Sequence, residues 1–259
     1  MSITALITGG SGEIAGFTRP FLRERGWHLR LLDLARPSDL HDDEVWVEAS
    51  ILDEDAVEEA ARGADVVIHL AAHRTERSWA DILSVNIDGT QRVLAAAQRA
   101  GVTRVLVASS VHAVGFVPQL GSADAEVLVP RPDTYYGVSK AAGEALASVF
   151  ADKHDMSIVS ARINNATEHP EGEVGRIAWW APADAARLFA AVAALDRPGH
   201  HIVWGVSRGA GRWFPLGPGR AIGYDPQEDA TRSGDGTGEV PYRVGGDHFP
   251  AWPLGEPMG

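Results

Sequence analysis

A glycine-rich segment directly after the first apolar run constrains the fold of this chain more than any other feature. Residues 3–7 are mostly apolar and predict a strand. TGGSGEIAG follows at residues 8–16 and opens an amphipathic stretch that predicts a helix over residues 14–25. Glycine permits a tight turn and lets the backbone approach a pyrophosphate, whose charge is stabilised at a helix N-terminus. Because a strand precedes the glycines and a helix follows them, the segment indicates a dinucleotide site. A tight strand–helix turn without a ligand is the alternative.

Strands and helices continue to alternate through the first 165 residues. Apolar runs predict strands, and the longer amphipathic stretches between them predict helices. The predicted strands span residues 28–33, 45–48, 66–70, 104–108 and 157–162, and the predicted helices span residues 54–62, 82–100 and 136–153. This alternation is typical of an α/β fold of the Rossmann type, in which helices cover both faces of a doubly wound parallel sheet.

The pattern loosens after residue 165. A helix is predicted over residues 183–195 and a strand over residues 201–205, followed by a region rich in Gly, Pro and Trp, in which residues 225–238 are expected to be mobile. We therefore expect a dinucleotide-binding domain over residues 1–165. Residues 166–259 are expected to form a small substrate-binding lobe that packs on it as part of a single compact unit, over the sheet edge where α/β proteins bind ligands.

Composition and charge exclude several classes of function. The net charge of −12 argues against a nucleic-acid partner, which needs a basic surface. No stretch approaches the roughly 18 apolar residues of a membrane span, and the N-terminus lacks the basic region of a signal peptide, so a cytoplasmic protein is expected. The chain has no cysteine, which rules out thiol catalysis and disulfides. No cluster of His, Asp and Glu has the spacing of a metal site, and no metal is expected.

The residue that ends the second predicted strand indicates which dinucleotide binds. Asp33 lies about twenty residues after the glycines, where a carboxylate hydrogen-bonds the adenosine ribose hydroxyls and repels a 2′-phosphate. NAD is therefore favoured over NADP, although Arg36 nearby keeps NADP open.

A tyrosine and a lysine form the candidate catalytic pair. Tyr136 and Lys140 are four residues apart, hence on one face of a helix. A phenol with a pKa near 10 is a poor base at neutral pH, and a neighbouring cation stabilises the phenolate. Lys140 can also bind the nicotinamide ribose, and Ser110 follows a strand at a place from which it can hydrogen-bond the reacting oxygen. Tyr135, one residue away, is expected to point elsewhere.

At these residues the sequence resembles a known family. TGGSGEIAG, Asp33, HLAA (69–72), Asn86 within NIDGT, SSVHAVG (109–115) and YYGVSK (135–140) are similar to extended short-chain dehydrogenases/reductases over essentially the whole chain. Within that superfamily the chain most resembles NAD-dependent uronate dehydrogenases and related sugar 1-dehydrogenases, through SSVHAVGF, RPDTYYGVSKAAGE, WGVSRGAGRWF (204–214) and GYDPQ (223–227). The resemblance implies oxidation of a cyclic sugar at its anomeric carbon to the lactone, with Tyr136 taking the hydroxyl proton and Ser110 orienting it.

The resemblance also implies a set of cofactor contacts. Together with the glycines and the predicted catalytic pair, the expected NAD-binding residues are Gly9, Gly12, Glu13, Ile14, Asp33, Ser50, Ile51, Leu70, Ala71, Ala72, Asn86, Tyr136 and Lys140. The family usually carries Asp where Ser50 stands, so an unusual or weaker contact with adenine is expected.

The expected substrate pocket departs further from the family. The expected substrate-binding residues are Arg74, Ser110, Val111, His112, Asn165 and Arg176. Val111 replaces an amide, while Arg74 and Asn165 stand where serines are usual. Two arginines suit an anionic group, so a sugar carboxylate, phosphate or sulfonate is the expected ligand. A solvated loop charge is the alternative for Arg74, and bracing of its loop is the alternative for His112. His69 is expected to be a core histidine, and most of the tryptophans are expected to pack the lobe.

Two other functions remain open at this point. A nucleotide-sugar epimerase or dehydratase would keep and regenerate its NAD, but the short C-terminal lobe offers little surface for a nucleotide. An NAD-sensing module without activity would not need Ser110, Tyr136 and Lys140 together. Self-association as a homo-oligomer is expected from the resemblance.

Overall fold

The computed structural model describes residues 2–118, 128–170, 172–233, 243–246 and 251–257. The strands are β1 (Thr4–Thr8), β2 (His28–Asp33), β3 (Glu44–Glu48), β4 (Val66–His69), β5 (Arg104–Ser110), β6 (Ser157–Ile163), β7 (Asn165–Ala166), β8 (Trp179–Trp180) and β9 (Gly199–Gly205). The α-helices are α1 (Glu13–Glu24), α2 (Glu54–Ala61), α3 (Trp79–Asp81), α4 (Gly89–Arg99), α5 (Tyr135–His154), α6 (Gly172–Ile177), α7 (Pro182–Ala194) and α8 (Gly217–Ala221). A π-helix spans Ile82–Asp88, and short 3-10 turns span Val111–Val114, Arg208–Arg212 and Ala230–Ser233.

Seven of these strands form one parallel sheet in the order β3-β2-β1-β4-β5-β6-β9. In the register of its centre, Leu6 lies opposite Arg30 of β2 and Val67 of β4. The chain runs outward from β1 to one side through β2 and β3, and to the other side from β4 onward. The direction therefore switches between β1 and β4, and ligands of open α/β sheets bind at the carboxyl ends of the strands beside such a point. The predicted doubly wound Rossmann-type fold is confirmed.

Helices bury both faces of this sheet, which explains its almost uninterrupted apolar strands. On one face, Leu22 of α1 and Phe189 of α7 pack against Ile7 and Leu31. On the other face, α2, α4 and α5 pack against alternate residues of the same strands, so neighbouring positions such as Leu6 and Ile7 point into different cores.

The helix predicted over residues 82–100 runs longer and is irregular. It begins with α3 at Trp79, passes through the π-helix and continues as α4 to Arg99. A π-helical turn holds one residue more than an α-helical turn, and such turns often occur at functional sites. Hydrophobic spacing alone does not reveal this local widening.

The chain beyond residue 165, which is predicted to form a lobe, also contributes to the sheet and to the helices that cover it. α7 belongs to one helix layer, and β9 pairs with β6 at the edge of the sheet. A third apolar cluster, which includes Val111, Trp204 and Phe214, joins the lobe to the turn after β5. The division at residue 165 therefore remains a prediction. The segment predicted to be mobile, residues 225–238, lies partly outside the described residues, and its described part ends in the 3-10 turn Ala230–Ser233.

Among the described residues, no helix is both long and apolar enough to cross a membrane.

Candidate active site

A cavity of about 640 Å³ runs along the carboxyl ends of the central strands, across the point where the direction of the sheet switches. One end is lined by the glycine segment, Asp33 and the turn at residues 49–52. The other end is lined by Ser110, His112, Tyr136, Lys140 and residues 163–167. The fold thus brings the predicted dinucleotide residues and the predicted catalytic residues into one elongated site.

The glycine segment packs against neighbouring backbone too closely for a side chain at Gly9. Gly9 has φ +74°, and a Cβ there would lie 2.7 Å from the backbone nitrogen of Ala71. Gly12 donates to the carbonyl of Gly9 at 3.0 Å and begins α1 without a side-chain cap. The N-terminal N–H groups of α1 therefore have no side-chain acceptor at Gly12, and this arrangement fits a pyrophosphate. Gly12, Glu13 and Ile14 line the cavity beside this helix end.

Asp33 is held in place at the adenosine end. Its carboxylate accepts hydrogen bonds from the backbone of Ser11 at 3.0 Å and of Ala35 at 3.4 Å. Asp33 lines the cavity at the position in this fold where a carboxylate accepts from the hydroxyls of a ribose. Ser50 and Ile51 line the cavity next to it, and the Ser50 hydroxyl accepts from the backbone of Leu52 at 3.1 Å. These residues fit the ribose and adenine of NAD.

Leu70, Ala71 and Ala72 line the middle of the cavity, whereas Asn86 lies behind it. The buried Asn86 side chain accepts from the backbone nitrogen of His73 at 2.8 Å and donates to the carbonyl of His73 at 3.0 Å. It also donates to the hydroxyl of Ser139 at 3.1 Å. Asn86, predicted as a cofactor contact, thus holds the loop after β4 against α5.

Tyr136 stands at the start of α5, where Thr134 caps the helix by accepting from the backbone of Gly137 at 2.9 Å. Burial raises the pKa of Tyr136 to about 12; a hydrogen bond with Ser110 lowers this pKa, and the charge of Asp133 raises it. Proton abstraction by Tyr136 at neutral pH therefore needs stabilisation of the phenolate from nearby donors and cations.

Lys140 supplies a cation one helical turn further along. Its Nζ lies 5.3 Å from the centre of the Tyr136 ring and donates to the carbonyl of Ala108 at 2.7 Å. Burial lowers the pKa of Lys140 to about 8, so the ammonium form still predominates at neutral pH. Tyr135 points elsewhere and packs edge-on against Trp79, with the ring centres 5.3 Å apart. The structure therefore brings Ser110, Tyr136 and Lys140 together.

His112 lies beside this group. Its Nδ1 hydrogen-bonds the carboxylate of the buried Asp133 at 2.9 Å, and its ring packs edge-on against the ring of Tyr136 at 5.7 Å. Because Asp133 is an acceptor, this contact places a proton on Nδ1 and orients the ring. His112 is held by Asp133 and also lines the cavity, so its contact with the substrate remains a prediction.

The other predicted substrate residues occupy different environments. Arg74 lines the cavity, and its exposed side chain forms an ion pair with Glu13 at the start of α1. Asn165 lines the cavity and donates to the carbonyl of Gly175 at 3.3 Å. Val111 is instead buried in the apolar cluster of the lobe, and Arg176 is exposed and is not among the described residues that line the cavity.

Several residues at or behind the site were not predicted from the sequence. His73, Asn164 and Thr167 also line the cavity. Asp133 precedes the YYGVSK motif, and its position next to the motif is the signal that could have identified it. The others are single polar residues in loops, for which the sequence offers no periodic signal.

A buried ion pair supports the floor of the site. The guanidinium of Arg162 in β6 donates to both carboxylate oxygens of Glu144 in α5, at 2.9 and 2.8 Å. The hydroxyl of Ser109 donates to the same carboxylate at 2.6 Å. Because removing one partner of a buried pair leaves an uncompensated charge, this network fixes α5 against β5 and β6.

The other residues considered in the sequence are not part of the group formed by Ser110, Tyr136 and Lys140. His69 is buried between the hydroxyls of Thr8 at 2.8 Å and Thr90 at 3.0 Å, and burial lowers its pKa to about 3. The prediction of a core histidine is confirmed. Among the described residues that line the cavity there is no tryptophan. The described residues also contain no group of three or more His, Asp or Glu side chains that could hold a metal ion.

Comparisons with known proteins agree with this geometry. Residues 5–180 match the model of the NAD-dependent epimerase/dehydratase family. The chain is 36% identical over 251 residues to an NAD-dependent glucose-6-phosphate dehydrogenase of Haloferax volcanii, covering 89% of this chain and 95% of the relative. It is 33% identical over 226 residues to a uronate dehydrogenase of Pseudomonas syringae, covering 87% of this chain and 82% of the relative.

A solved structure is also similar over almost the whole chain. The glucuronic acid dehydrogenase of Chromohalobacter salexigens superposes with a TM-score of 0.86 at 30% identity, covering 98% of each chain. The resemblance drawn from the sequence motifs is thus confirmed, and so are NAD as the cofactor and oxidoreduction as the class of reaction. This chain belongs to the NAD-dependent epimerase/dehydratase family.

Proposed function

We propose that this chain oxidises an anionic sugar at its anomeric carbon to the corresponding aldonolactone, using NAD. The observation that carries the proposal is the convergence of Ser110, Tyr136 and Lys140 at one end of the NAD cavity, with Arg74 at its rim. Family membership supports the cofactor, and the relatives named for glucose 6-phosphate and for uronate support a sugar with an acidic group.

Three side chains of the site would handle the proton of the anomeric hydroxyl. Ser110 hydrogen-bonds Tyr136 and would share its hydroxyl with the anomeric oxygen, which orients that oxygen. Tyr136 would take the proton, and the Lys140 ammonium, 5.3 Å from the ring centre, stabilises the phenolate that precedes this transfer. Bound NAD would supply the hydride acceptor for the C–H bond that breaks as the lactone carbonyl forms.

The acidic group of the sugar would bind at the rim of the cavity. The Arg74 side chain is 74% exposed and forms an ion pair with the 68% exposed Glu13. An exposed ion pair of this kind contributes little stability, so an incoming anion displaces it at small cost. An arginine offers two parallel donors to a carboxylate, a phosphate or a sulfonate. A uronate, a 6-phospho-sugar and a 6-sulfo-sugar such as sulfoquinovose are therefore the proposed substrates.

A substrate panel tests the proposal. Galacturonate, glucuronate, glucose 6-phosphate, sulfoquinovose and neutral aldoses would be supplied with NAD and, separately, with NADP. We expect NADH to form with at least one of the acidic sugars and more slowly with the neutral ones. Absence of NADH with every acidic sugar would refute the proposal, and turnover of a nucleotide-sugar without net NADH would favour an epimerase or dehydratase.

Tyr136→Phe tests the assigned base. This change removes the hydroxyl and preserves the ring that packs against His112. General acid–base catalysis contributes about 10²- to 10⁴-fold to rate, so turnover is expected to fall by at least a hundredfold while NAD still binds. Unchanged turnover with folded protein would contradict the mechanism.

A further inference from the structure

A buried carboxylate outside the reacting groups contacts the backbone of the proposed catalytic base. Glu76 is fully buried. One of its oxygens accepts from the backbone nitrogen of Tyr136 at 2.7 Å, and the other accepts from that of Tyr135 at 3.1 Å. These are the first two N–H groups of α5, where a negative charge is stabilised by the helix dipole.

The carbonyl of Tyr136 is held from the same side of the molecule. It accepts from the hydroxyl of Ser139 at 2.6 Å, and that hydroxyl accepts from Asn86. Asn86 in turn binds both backbone groups of His73, three residues before Glu76. The N–H and the carbonyl of Tyr136 are thus both tied to the loop at residues 73–77, which also carries Arg74.

The C-terminal segment at residues 251–257 completes the surroundings of Glu76. The backbone nitrogen of Gly255 donates to the Glu76 carboxylate at 2.8 Å. Gly255 has φ +79°, and a Cβ there would lie 3.6 Å from the Tyr135 ring. The segment therefore lies over the start of α5 and supplies the third hydrogen bond to a carboxylate that has no exposure to water.

We propose that Glu76 is a positioning residue for Tyr136, and that the segment at residues 251–257 acts with it by docking on its carboxylate through Gly255. The inference rests on the proposed role of Tyr136. A buried carboxylate is stable only when hydrogen bonds replace its hydration, and within the described ranges its three donors are all backbone groups. Without the hydrogen bond from the Gly255 backbone, the Glu76 carboxylate lacks one of its donors and holds the backbone of Tyr136 less firmly.

Two full-length variants test the two contacts separately. Glu76→Gln keeps the size of the side chain but replaces one acceptor oxygen by an amide N–H₂ group. In one orientation this group faces the backbone N–H of Tyr136, and in the other it faces those of Tyr135 and Gly255. Gly255→Val puts a β-branched residue at a positive φ and so displaces the donor of the C-terminal segment. Gly101→Val is the matched control, because Gly101 has φ +78° and open space around it, and it precedes the start of β5, whereas Ser110 ends that strand.

The kinetic expectation separates positioning from binding. Because small misplacements of a reacting group are costly, Glu76→Gln is expected to lower kcat by about tenfold or more, with KM for sugar and NAD within about twofold. Gly255→Val is expected to lower kcat in the same way and more mildly, whereas Gly101→Val retains kcat. The double variant of Glu76 and Gly255 is expected to be no slower than Glu76→Gln alone, since both changes break one link.

Amide hydrogen exchange gives a readout that does not need turnover. In Glu76→Gln, exchange is expected to quicken in the peptides that contain Tyr136 and residues 251–257, but not in Gly101→Val. A kcat within about twofold of the parent, or unchanged exchange at Tyr136, would overturn the role of Glu76. A kcat for Gly255→Val equal to that of Gly101→Val would overturn the role of the segment. If the parent protein oxidises no sugar, the proposed function is refuted. The exchange experiment still shows whether Glu76 holds the backbone of Tyr136 and the segment at residues 251–257.

Discussion

Replacing Lys140 by methionine is expected to stabilise the folded chain at neutral pH while removing its activity. Burial lowers the pKa of Lys140 from 10.5 to about 8. Since one pKa unit corresponds to about 1.4 kcal/mol, the protonated lysine costs the folded state about 3 kcal/mol. Methionine removes this cost but leaves the Ala108 carbonyl without its donor, a loss of about 1 kcal/mol. The expected net gain in the free energy of unfolding at pH 7 is therefore about 2 kcal/mol.

The stability gained by Lys140→Met is expected to decrease as the pH rises. Between pH 8 and pH 10.5 the unfolded lysine still binds its proton while the folded lysine has lost it, so the stability of the parent rises with pH. Below about pH 8 both states are protonated and the full cost is present. The advantage of Lys140→Met is therefore expected to disappear by about pH 10.

Urea unfolding of the nucleotide-free proteins at pH 7 and pH 10 measures this difference. Lys153→Met is the matched control, because Lys153 lies in the same helix and is exposed. The control is expected to show a difference from the parent that does not change with pH. A Lys140→Met variant that is less stable than the parent at pH 7, or whose difference is the same at both pH values, would refute the reasoning.

Two further substitutions test the glycine segment and the proposed anion contact at the rim of the cavity. Gly9→Ala introduces a Cβ 2.7 Å from a backbone atom at a positive φ, so a loss of NAD affinity and of about 2 kcal/mol or more of stability is expected. Gly16→Ala is the control, because Gly16 has open space around it. Equal NAD affinities and equal stabilities of the two variants in calorimetry would contradict the close approach of Gly9 to the backbone of Ala71. Arg74→Ala is expected to raise KM for the acidic sugar by about tenfold or more while NAD affinity is unchanged. Arg62→Ala, at another exposed arginine, is the control. If Arg74→Ala lowers the affinities for NAD and for the sugar equally, and by more than the control does, Arg74 has no specific role in substrate binding.

The fold was predictable because its signals are local. Apolar runs such as residues 66–70 and the glycines at residues 9–12 depend on neighbouring positions, and right-handed βαβ connections then restrict the topology. The π-helix at Ile82–Asp88 could not be predicted, because hydrophobic spacing does not reveal one extra residue in a helical turn. The hydrogen bonds of Asn86 in this helix reach His73 and Ser139, 13 and 53 positions away, and no spacing in the sequence indicates them. The two-residue pair of β7 and β8 is likewise too short to produce a periodic pattern.

The site was predictable where a motif carries the chemistry. Tyr136 and Lys140 are four residues apart in a helix, and that spacing alone places them together. Glu76 contacts residues 59, 60 and 179 positions away, so no spacing in the sequence connects them. For Val111, closeness in sequence was misleading. Its neighbours Ser110 and His112 line the cavity, whereas the Val111 side chain is buried in the apolar cluster that includes Trp204 and Phe214.

The position of α7 limits how this enzyme can be divided. The proposed reacting residues Ser110, Tyr136 and Lys140 all precede residue 141 in the chain, and the glycine segment at residues 8–16 precedes them. Yet one face of the sheet, with Ile7, Leu31 and Leu106, is covered in part by α7, which begins at Pro182. A nascent or truncated chain that stops at residue 165 would hold all the reacting groups and still expose an apolar sheet face, a surface prone to aggregation. We therefore expect residues 1–165 expressed by themselves to aggregate, although they contain all the proposed reacting groups.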